Sequence, residues 1–169
     1  GTYTFRAYAN DTNGNNNFTT TSSFTVDTTR PSLTITAPQN TSYNSVQTNL
    51  NYTVSDTNIQ ACWYSTNNGV LNQTITCGNN ATGTSSQGSN TWLVGVNDTA
   101  GNTNTSRITF FVDSINPSLI LVHPQNTTYS TTALQINFTV SDTNSLFCWY
   151  TNNSGTTNNS LPNCGNVSY

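Results

Sequence analysis

The stretch Cys62-Trp63-Tyr64 occurs twice in this sequence, because Cys148-Trp149-Tyr150 repeats it 86 residues later. Other segments repeat at the same offset, namely Pro31-Ser32-Leu33 as Pro117-Ser118-Leu119, Pro38-Gln39-Asn40-Thr41 as Pro124-Gln125-Asn126-Thr127, and Val54-Ser55-Asp56-Thr57-Asn58 as Val140-Ser141-Asp142-Thr143-Asn144. A fixed period of this length is the signature of a repeat array in which each period is one folding unit. The chain is therefore expected to act as an array rather than through one pocket.

Apolar and polar side chains alternate in the predicted strands of each unit. Leu50, Tyr52 and Val54 are separated by polar residues, which is the pattern of a strand with one face in the core and one in water. Short strands of this kind, with turn signals every 8 to 12 residues, predict an all-β fold of tandem immunoglobulin-like sandwiches of about 86 residues each. We expect Trp63 and Trp149 to face the core, together with Ala61 and Phe147.

The repeat also predicts where the units begin and end. Residues 27–113 form one complete unit, 1–26 match its last two strands, and 114–169 match its first five strands. The last unit would be completed by the equivalent of 1–26 from the next copy. Two arrangements fit these unit boundaries. Either the chain is one repeating segment of a long covalent array, or separate subunits complete each other by strand exchange.

Composition narrows the function classes. The chain of 169 residues has three Arg, no Lys, six Asp, no Glu and a formal net charge of -3, so a phosphate-binding surface is not expected. No apolar run approaches the roughly 18 residues that a membrane helix needs. The chain starts at Gly1, and we expect a removed signal sequence or a longer parent chain. Asn, Ser and Thr abound as in disordered or amyloid-forming chains, but aromatic and β-branched residues in alternating order favour folded domains.

Three segments resemble a known family. They are the linker Val26-Asp27-Thr28-Thr29-Arg30-Pro31, the strand Cys62-Trp63-Tyr64-Ser65 and the hairpin Asn97-Asp98-Thr99-Ala100-Gly101-Asn102, which are similar to tandem immunoglobulin-like repeats of prokaryotic, particularly archaeal, cell-surface proteins. The resemblance implies the sandwich fold, an extracellular or cell-surface location and no catalytic residues. Such repeats serve as stalks, filaments and adhesin spacers alike.

The four cysteines form two equivalent pairs. Cys62 with Cys77 and Cys148 with Cys164 predict one disulfide in each unit, closing loops of about fifteen residues. Pairing across units would tie the repeats together instead. A zinc site is the rival hypothesis, but its Cys-x2-Cys spacing and clustered His are absent. Disulfides imply an oxidising compartment.

All six aspartates fall at three repeat positions, which lie in loops at one end of the predicted sandwich. One cluster would hold Asp27, Asp56 and Asp98, and a second would hold Asp113, Asp142 and an Asp11 equivalent from the next copy. Carboxylates with neighbouring oxygen donors suit calcium, which is the one cofactor the sequence suggests. Aspartates that cap their own turns in Asx-turns explain the same positions without a metal.

Thirteen Asn-x-Ser/Thr sequons predict N-linked glycans, and five pairs of them share a repeat position. They are Asn10, Asn17, Asn40, Asn51, Asn72, Asn80, Asn97, Asn104, Asn126, Asn137, Asn152, Asn158 and Asn166. Glycans at Asn51 and Asn137 would stand on the outward face of the second strand. They would also protect sheet edges in a chain with little charge.

No catalytic site is predicted. His123 is the single histidine, its equivalent in the other unit is Ala37, and no acid or base partner is evident. We expect a structural segment of an extracellular filament or stalk, with copies of itself and N-linked glycans as partners, no nucleic acid and no membrane span in this segment. The alternatives are an adhesin that presents or forms a binding surface, and an accessory module of a secreted enzyme.

Overall fold

The computed structural model describes residues 1–144 and 146–168, which form an all-β structure with a single 3₁₀ turn at Pro162–Cys164. The chain divides into two compact units, Gly1–Ser114 and Ile115–Tyr169. The strands of the described residues are β1 (Thr2–Phe5), β2 (Tyr8–Asn10), β3 (Asn16–Phe18), β4 (Ser22–Thr25), β5 (Ser32–Ala37), β6 (Ser42–Tyr43), β7 (Asn49–Ser55), β8 (Ile59–Ser65), β9 (Gln73–Ile75), β10 (Ala81–Thr82), β11 (Gly88–Asp98), β12 (Thr103–Val112), β13 (Ser118–His123), β14 (Gln135–Ser141), β15 (Cys148–Tyr150), β16 (Asn159–Leu161) and β17 (Val167–Ser168). Within the described residues, no helix is long or apolar enough to cross a membrane.

Strands β5 to β12 build one complete sandwich. One sheet has the order β10-β7-β5 and the other the order β6-β12-β11-β8-β9, with antiparallel pairing throughout except between β6 and β12. Alternation in β7 sends Leu50 and Tyr52 inward, as predicted. The buried core residues between the two sheets are Leu50, Tyr52, Ala81, Trp92, Val94, Phe110 and Val112. The predicted fold class, all-β with an immunoglobulin-like sandwich, is thus confirmed.

The tryptophan in the core is Trp92, so the prediction for Trp63 is wrong. Trp92 is fully buried and meets Phe110 edge-on, with 5.1 Å between ring centroids. Trp63 is only half-buried. Its two neighbours are on the core side, because Cys62 is buried and Tyr64 packs against the core cluster, and successive side chains on a strand point to opposite faces. Trp63 therefore lies on the outer face of its sheet, over Gly95, where an added Cβ would stand 2.2 Å from the indole ring.

The first hairpin, residues 1–26, is interrupted rather than continuous. β1 pairs with β4 and β2 pairs with β3, where two strands were predicted. Asn17 and Phe24 are seven positions apart, whereas their equivalents Asn104 and Phe110 in the β11–β12 hairpin are six apart. One extra residue in one strand leaves a residue unpaired and breaks the ladder locally. The side chains of β1 to β4 are all exposed.

The unit Ile115–Tyr169 repeats the first half of the sandwich. Its sheets have the orders β13-β14-β17 and β15-β16, which match β5-β7-β10 and β8-β9. The described part of this unit holds no strand equivalent to β11 or β12. Trp149 and Phe147, which were expected to face a core, are 56% and 75% exposed.

Candidate functional site

Both pairs of cysteines are joined within their own units. Cys62 is bonded to Cys77 and Cys148 to Cys164, with Cα–Cα distances of 5.2 and 5.1 Å. Each bond ties the strand that carries the Cys-Trp-Tyr sequence to the segment after the next strand, β9 or β16. All four cysteines are consumed in this way, so no thiol of the chain is left for a zinc site.

Three aspartates meet at one end of the sandwich and form what we call the carboxylate cluster: Asp27, Asp56 and Asp98. One carboxylate oxygen from each lies within 4.8 Å of the other two. Asp27 belongs to the linker before β5, Asp56 follows β7, and Asp98 ends β11. The topology brings these loops together, because β7 and β11 end at the same pole of the sandwich.

Each aspartate of the cluster also caps a backbone N–H of its own turn. Asp56 Oδ1 accepts from the Asn58 N–H at 2.8 Å, and Asp27 Oδ1 accepts from the Thr29 N–H at 3.0 Å. These are the Asx-turn contacts that the sequence allows for. The capping role therefore exists in the structure without a metal.

Asp98 is fully buried and holds the tip of the β11–β12 hairpin. Burial opposes its ionisation, but the side-chain and backbone hydrogen bonds from Asn102 and the backbone N–H of Ala100 outweigh it and lower the pKa of Asp98. A carboxylate that accepts several N–H bonds stays ionised at acidic pH. Asp98 is thus a buried negative charge at neutral pH.

Two asparagines connect the cluster, and sequence reasoning did not assign them this role. Asn102 Nδ2 donates to the Asp98 carboxylate at 2.8 Å and to the Asp27 carbonyl at 3.0 Å. Asn58 Nδ2 donates to Asp27 Oδ2 at 3.4 Å. The available signal was that both asparagines recur in the repeat, as Asn15 and Asn144.

The spacing of the carboxylate cluster fits calcium. Calcium binds oxygen at 2.3 to 2.6 Å, so two of its ligands lie at most about 5 Å apart. The cluster meets this limit and supplies three carboxylates. Because the same three carboxylates already cap their turns, calcium stays a prediction. The second predicted cluster needs Asp11 from another copy and also stays a prediction.

Asp11 builds the same tip in the first hairpin. Its carboxylate accepts from the Asn13 and Asn15 N–H groups and from Asn15 Nδ2, at 2.7 to 3.0 Å. The side-chain hydrogen bond from Asn15 is the main reason that the pKa of Asp11 lies below its ordinary value. Asp142 caps the Asn144 N–H at 2.8 Å, as Asp56 caps that of Asn58.

The sequon asparagines differ in accessibility. Nine are exposed: Asn10, Asn17, Asn40, Asn72, Asn80, Asn126, Asn152, Asn158 and Asn166. Asn51 and Asn137, predicted on an outward face, are half-buried, and the Asn137 carboxamide oxygen is shielded from solvent. Asn104 and Asn97 use their Nδ2 atoms internally, donating to the Pro31 carbonyl at 2.8 Å and to Gln60 Oε1 at 2.7 Å.

His123 has a structural environment. Its Nδ1 lies 2.9 Å from the Gln135 carbonyl, and its ring meets the Tyr129 ring at 5.3 Å. A carbonyl only accepts, so Nδ1 carries the proton. These contacts tie the end of β13 to the start of β14.

No protein-family model matches this chain, and no curated protein matches it. Among solved structures, it is similar to the fibronectin(III)-like modules of CbhA from Clostridium thermocellum, with 17% identity and a TM-score of 0.42. The match covers 67% of this chain and 63% of that chain, so this chain spans less than two thirds of the structure it matches. The sheet topology described above establishes the fold independently of this likeness.

Proposed function

We propose that this chain is a structural repeat segment of an extracellular surface filament or stalk, stapled by disulfides and N-glycosylated. One observation carries the proposal: five strands and a disulfide of one unit recur in the other at a nearly constant offset. An active site needs its residues once, whereas here the cysteines and the loop aspartates recur. Recurrence of the whole unit suits a role that depends on length.

The work of such a segment is mechanical. Each complete unit buries its own core, so neighbouring units are added without changing it. At the start of the sandwich, Asn102 and Asn58 bond to Asp27 of the linker, which fixes the direction in which the chain enters β5. The disulfides support an extracellular location, because such bonds persist in oxidising compartments. The resemblance to archaeal surface repeats supports the same role.

An adhesin is the second candidate, because large aromatic side chains are exposed. Tyr8 is 70% exposed, and Trp149 is 56% exposed. Such rings stack on sugars and on other rings. The filament is the better proposal. Tyr8 lies on a hairpin that matches the last two strands of the complete unit, and Trp149 lies in the unit that matches its first five strands. Their exposure is therefore explained by two parts of one sandwich that have not been joined.

Electron microscopy and a reducing, denaturing gel of the native material test the proposal together. We expect ordered fibres that contain this sequence. A band on the order of hundreds of kilodaltons would mean a covalent array, and a band at 18.3 kDa plus glycan would mean separate subunits. Dispersed single particles carrying a non-repeat sugar-binding domain would support the adhesin instead, and a linked catalytic domain would support an accessory module.

A further inference from the structure

The unit Ile115–Tyr169 has an open apolar groove where the complete unit has a core. Its lining includes Leu119, Leu121, Ile136, Phe138 and Val140, and its volume is about 530 Å³. Leu119 and Leu121 remain 67% and 59% exposed. Exposed apolar area of this kind in a folded unit marks an interaction surface.

The complete unit shows what covers such a groove. Leu33 and Ile35, the repeat equivalents of Leu119 and Leu121, pack against a core that contains Trp92, Val94 and Phe110. Those three residues belong to the β11–β12 hairpin. The groove therefore lacks a hairpin with large apolar side chains at the same positions.

The first hairpin carries that pattern. Its residues Phe5, Ala7 and Phe24 are the repeat equivalents of Trp92, Val94 and Phe110. Phe5 and Phe24 are 58% and 51% exposed. The apolar face of the hairpin is thus uncovered, as the groove is.

Strand register matches as well. Tyr3 is paired with Phe24 as Asn90 is with Phe110, and Ala9 is paired with Asn17 as Val96 is with Asn104. The tips agree too: the Asp11 N–H donates to the Asn15 carbonyl at 2.9 Å, and the Asp98 N–H to the Asn102 carbonyl at 3.0 Å. The first hairpin is therefore built like the hairpin that the groove lacks.

We propose that the groove of one copy of this chain takes the first hairpin, Gly1–Val26, of a second copy. Within the described residues β15 is paired on one side, by β16, whereas its equivalent β8 is paired by both β9 and β11. Transferring the β8–β11 register gives the pairs Ala7 with Tyr150, Tyr8 with Trp149, Ala9 with Cys148 and Asn10 with Phe147. Strand addition of this kind supplies backbone hydrogen bonds along an open edge.

Two consequences follow from this register. Asp11 of the second copy lies beside Asp142, as Asp98 lies beside Asp56 in the carboxylate cluster. In this register Tyr8 takes the position of Gly95. Gly95 has no side chain, and the Trp63 ring lies over its backbone. Tyr8 has a side chain, so the Trp149 ring lies beside that side chain instead. The contact is head-to-tail, because each copy offers one hairpin and one groove, and it therefore extends into chains or closes into rings.

This inference rests on the proposed function and names the surface through which the copies join. A complementation experiment on the purified 169-residue chain tests the inference, whereas microscopy of native material tests the proposed function. Phe24→Asp places a charge on the hairpin, and Leu121→Asp places one in the groove. Val70→Asp, at an 85% exposed position of the complete unit, is the matched control. Circular dichroism confirms that each variant is folded.

In sedimentation velocity we expect the unsubstituted chain and Val70→Asp to form concentration-dependent multiples of 18.3 kDa. Phe24→Asp and Leu121→Asp should each stay at 18.3 kDa alone and form a dimer when mixed, because one intact hairpin meets one intact groove. An unsubstituted chain that stays monomeric at every concentration would overturn the proposal. A mixture that stays monomeric while the unsubstituted chain assembles would overturn it too.

Discussion

Replacing Gly95 by Ala tests the placement of Trp63 on the outer face of the sandwich. The new Cβ would lie 2.2 Å from Trp63 Cε2 and 2.4 Å from Cζ2 and Nε1. Contacts this short force the ring or the strand to move, because Gly95 is buried in β11 between β8 and β12. Overpacking of this type costs about 1 to 3 kcal/mol.

The same substitution should be harmless once the indole is gone. In a strand, Ala is more favourable than Gly by about 0.5 to 1 kcal/mol, because Gly loses more backbone freedom on folding. In a Trp63→Ala background we therefore expect Gly95→Ala to be neutral or slightly stabilising. The effect of Gly95→Ala should therefore differ between the two backgrounds by about 1 to 4 kcal/mol, which is the coupling energy of the pair.

Urea denaturation followed by circular dichroism measures the four free energies of unfolding in this cycle. Ser89→Ala, at an exposed position on the same strand, is the control and should change stability by less than about 0.5 kcal/mol. An equal cost of Gly95→Ala in both backgrounds would refute the contact between Trp63 and Gly95.

Four further results are expected. Because hydrogen bonds from Asn102 and Ala100 lower the pKa of Asp98 in the folded chain, its carboxylate stabilises the fold above the ordinary aspartate pKa, and that contribution is lost as the pH falls through the lowered pKa. Asp98→Asn should therefore lower the urea midpoint at about pH 6 and flatten its fall towards about pH 3; an unchanged acid slope would contradict this assignment. Replacing Cys62 and Cys77 together by Ala should cost roughly 3 kcal/mol for a loop of this length, before any loss of packing; a loss below about 1 kcal/mol would contradict a stapling role. In glycopeptide mass spectra of native material, exposed Asn72 should carry glycan and Asn104 should not, since its amide is bonded to a carbonyl; the reverse pattern would count against the proposed glycan sites. If the carboxylate cluster binds calcium, the urea midpoint of unfolding should rise with millimolar calcium and fall again when a chelator is added. An unchanged midpoint would mean that these aspartates only cap their turns.

The repeat made most of the fold predictable. The offset of 86 aligns the second unit with the first half of the complete sandwich, so the alternating strand around Leu50 and Tyr52 predicts its equivalent around Ile136 and Phe138. The meeting of the carboxylate cluster could be predicted for a related reason, since its aspartates occupy loops at one pole of a sandwich. The cysteine pairs followed from their nearly equal spacing in the two units, 15 and 16 residues.

Which side chains of a strand point into the core was harder to predict where both faces of the strand carry bulky side chains. In Cys62-Trp63-Tyr64 each residue is a plausible core residue, and only pairing with β11 decides which of them point inward. The half-buried state of Asn137 could not be read from alternation either, because alternation gives the face of a side chain and not how much of it neighbouring atoms cover. The interruption of the first hairpin reflects one extra residue whose effect is local.

Disulfide trapping at the predicted register tests most directly whether copies complete one another's sandwiches. Asn10→Cys with Phe147→Cys places two thiols at equivalents of the Asn97 and Ala61 pair, while the native cysteines remain bonded. Asn10→Cys with Thr151→Cys, displaced along the strand by about 13 Å, is the control. On a non-reducing denaturing gel we predict a ladder at multiples of 18.3 kDa for the first variant and a single 18.3 kDa band for the control. Equal ladders in both variants, or no ladder in either, would contradict the account.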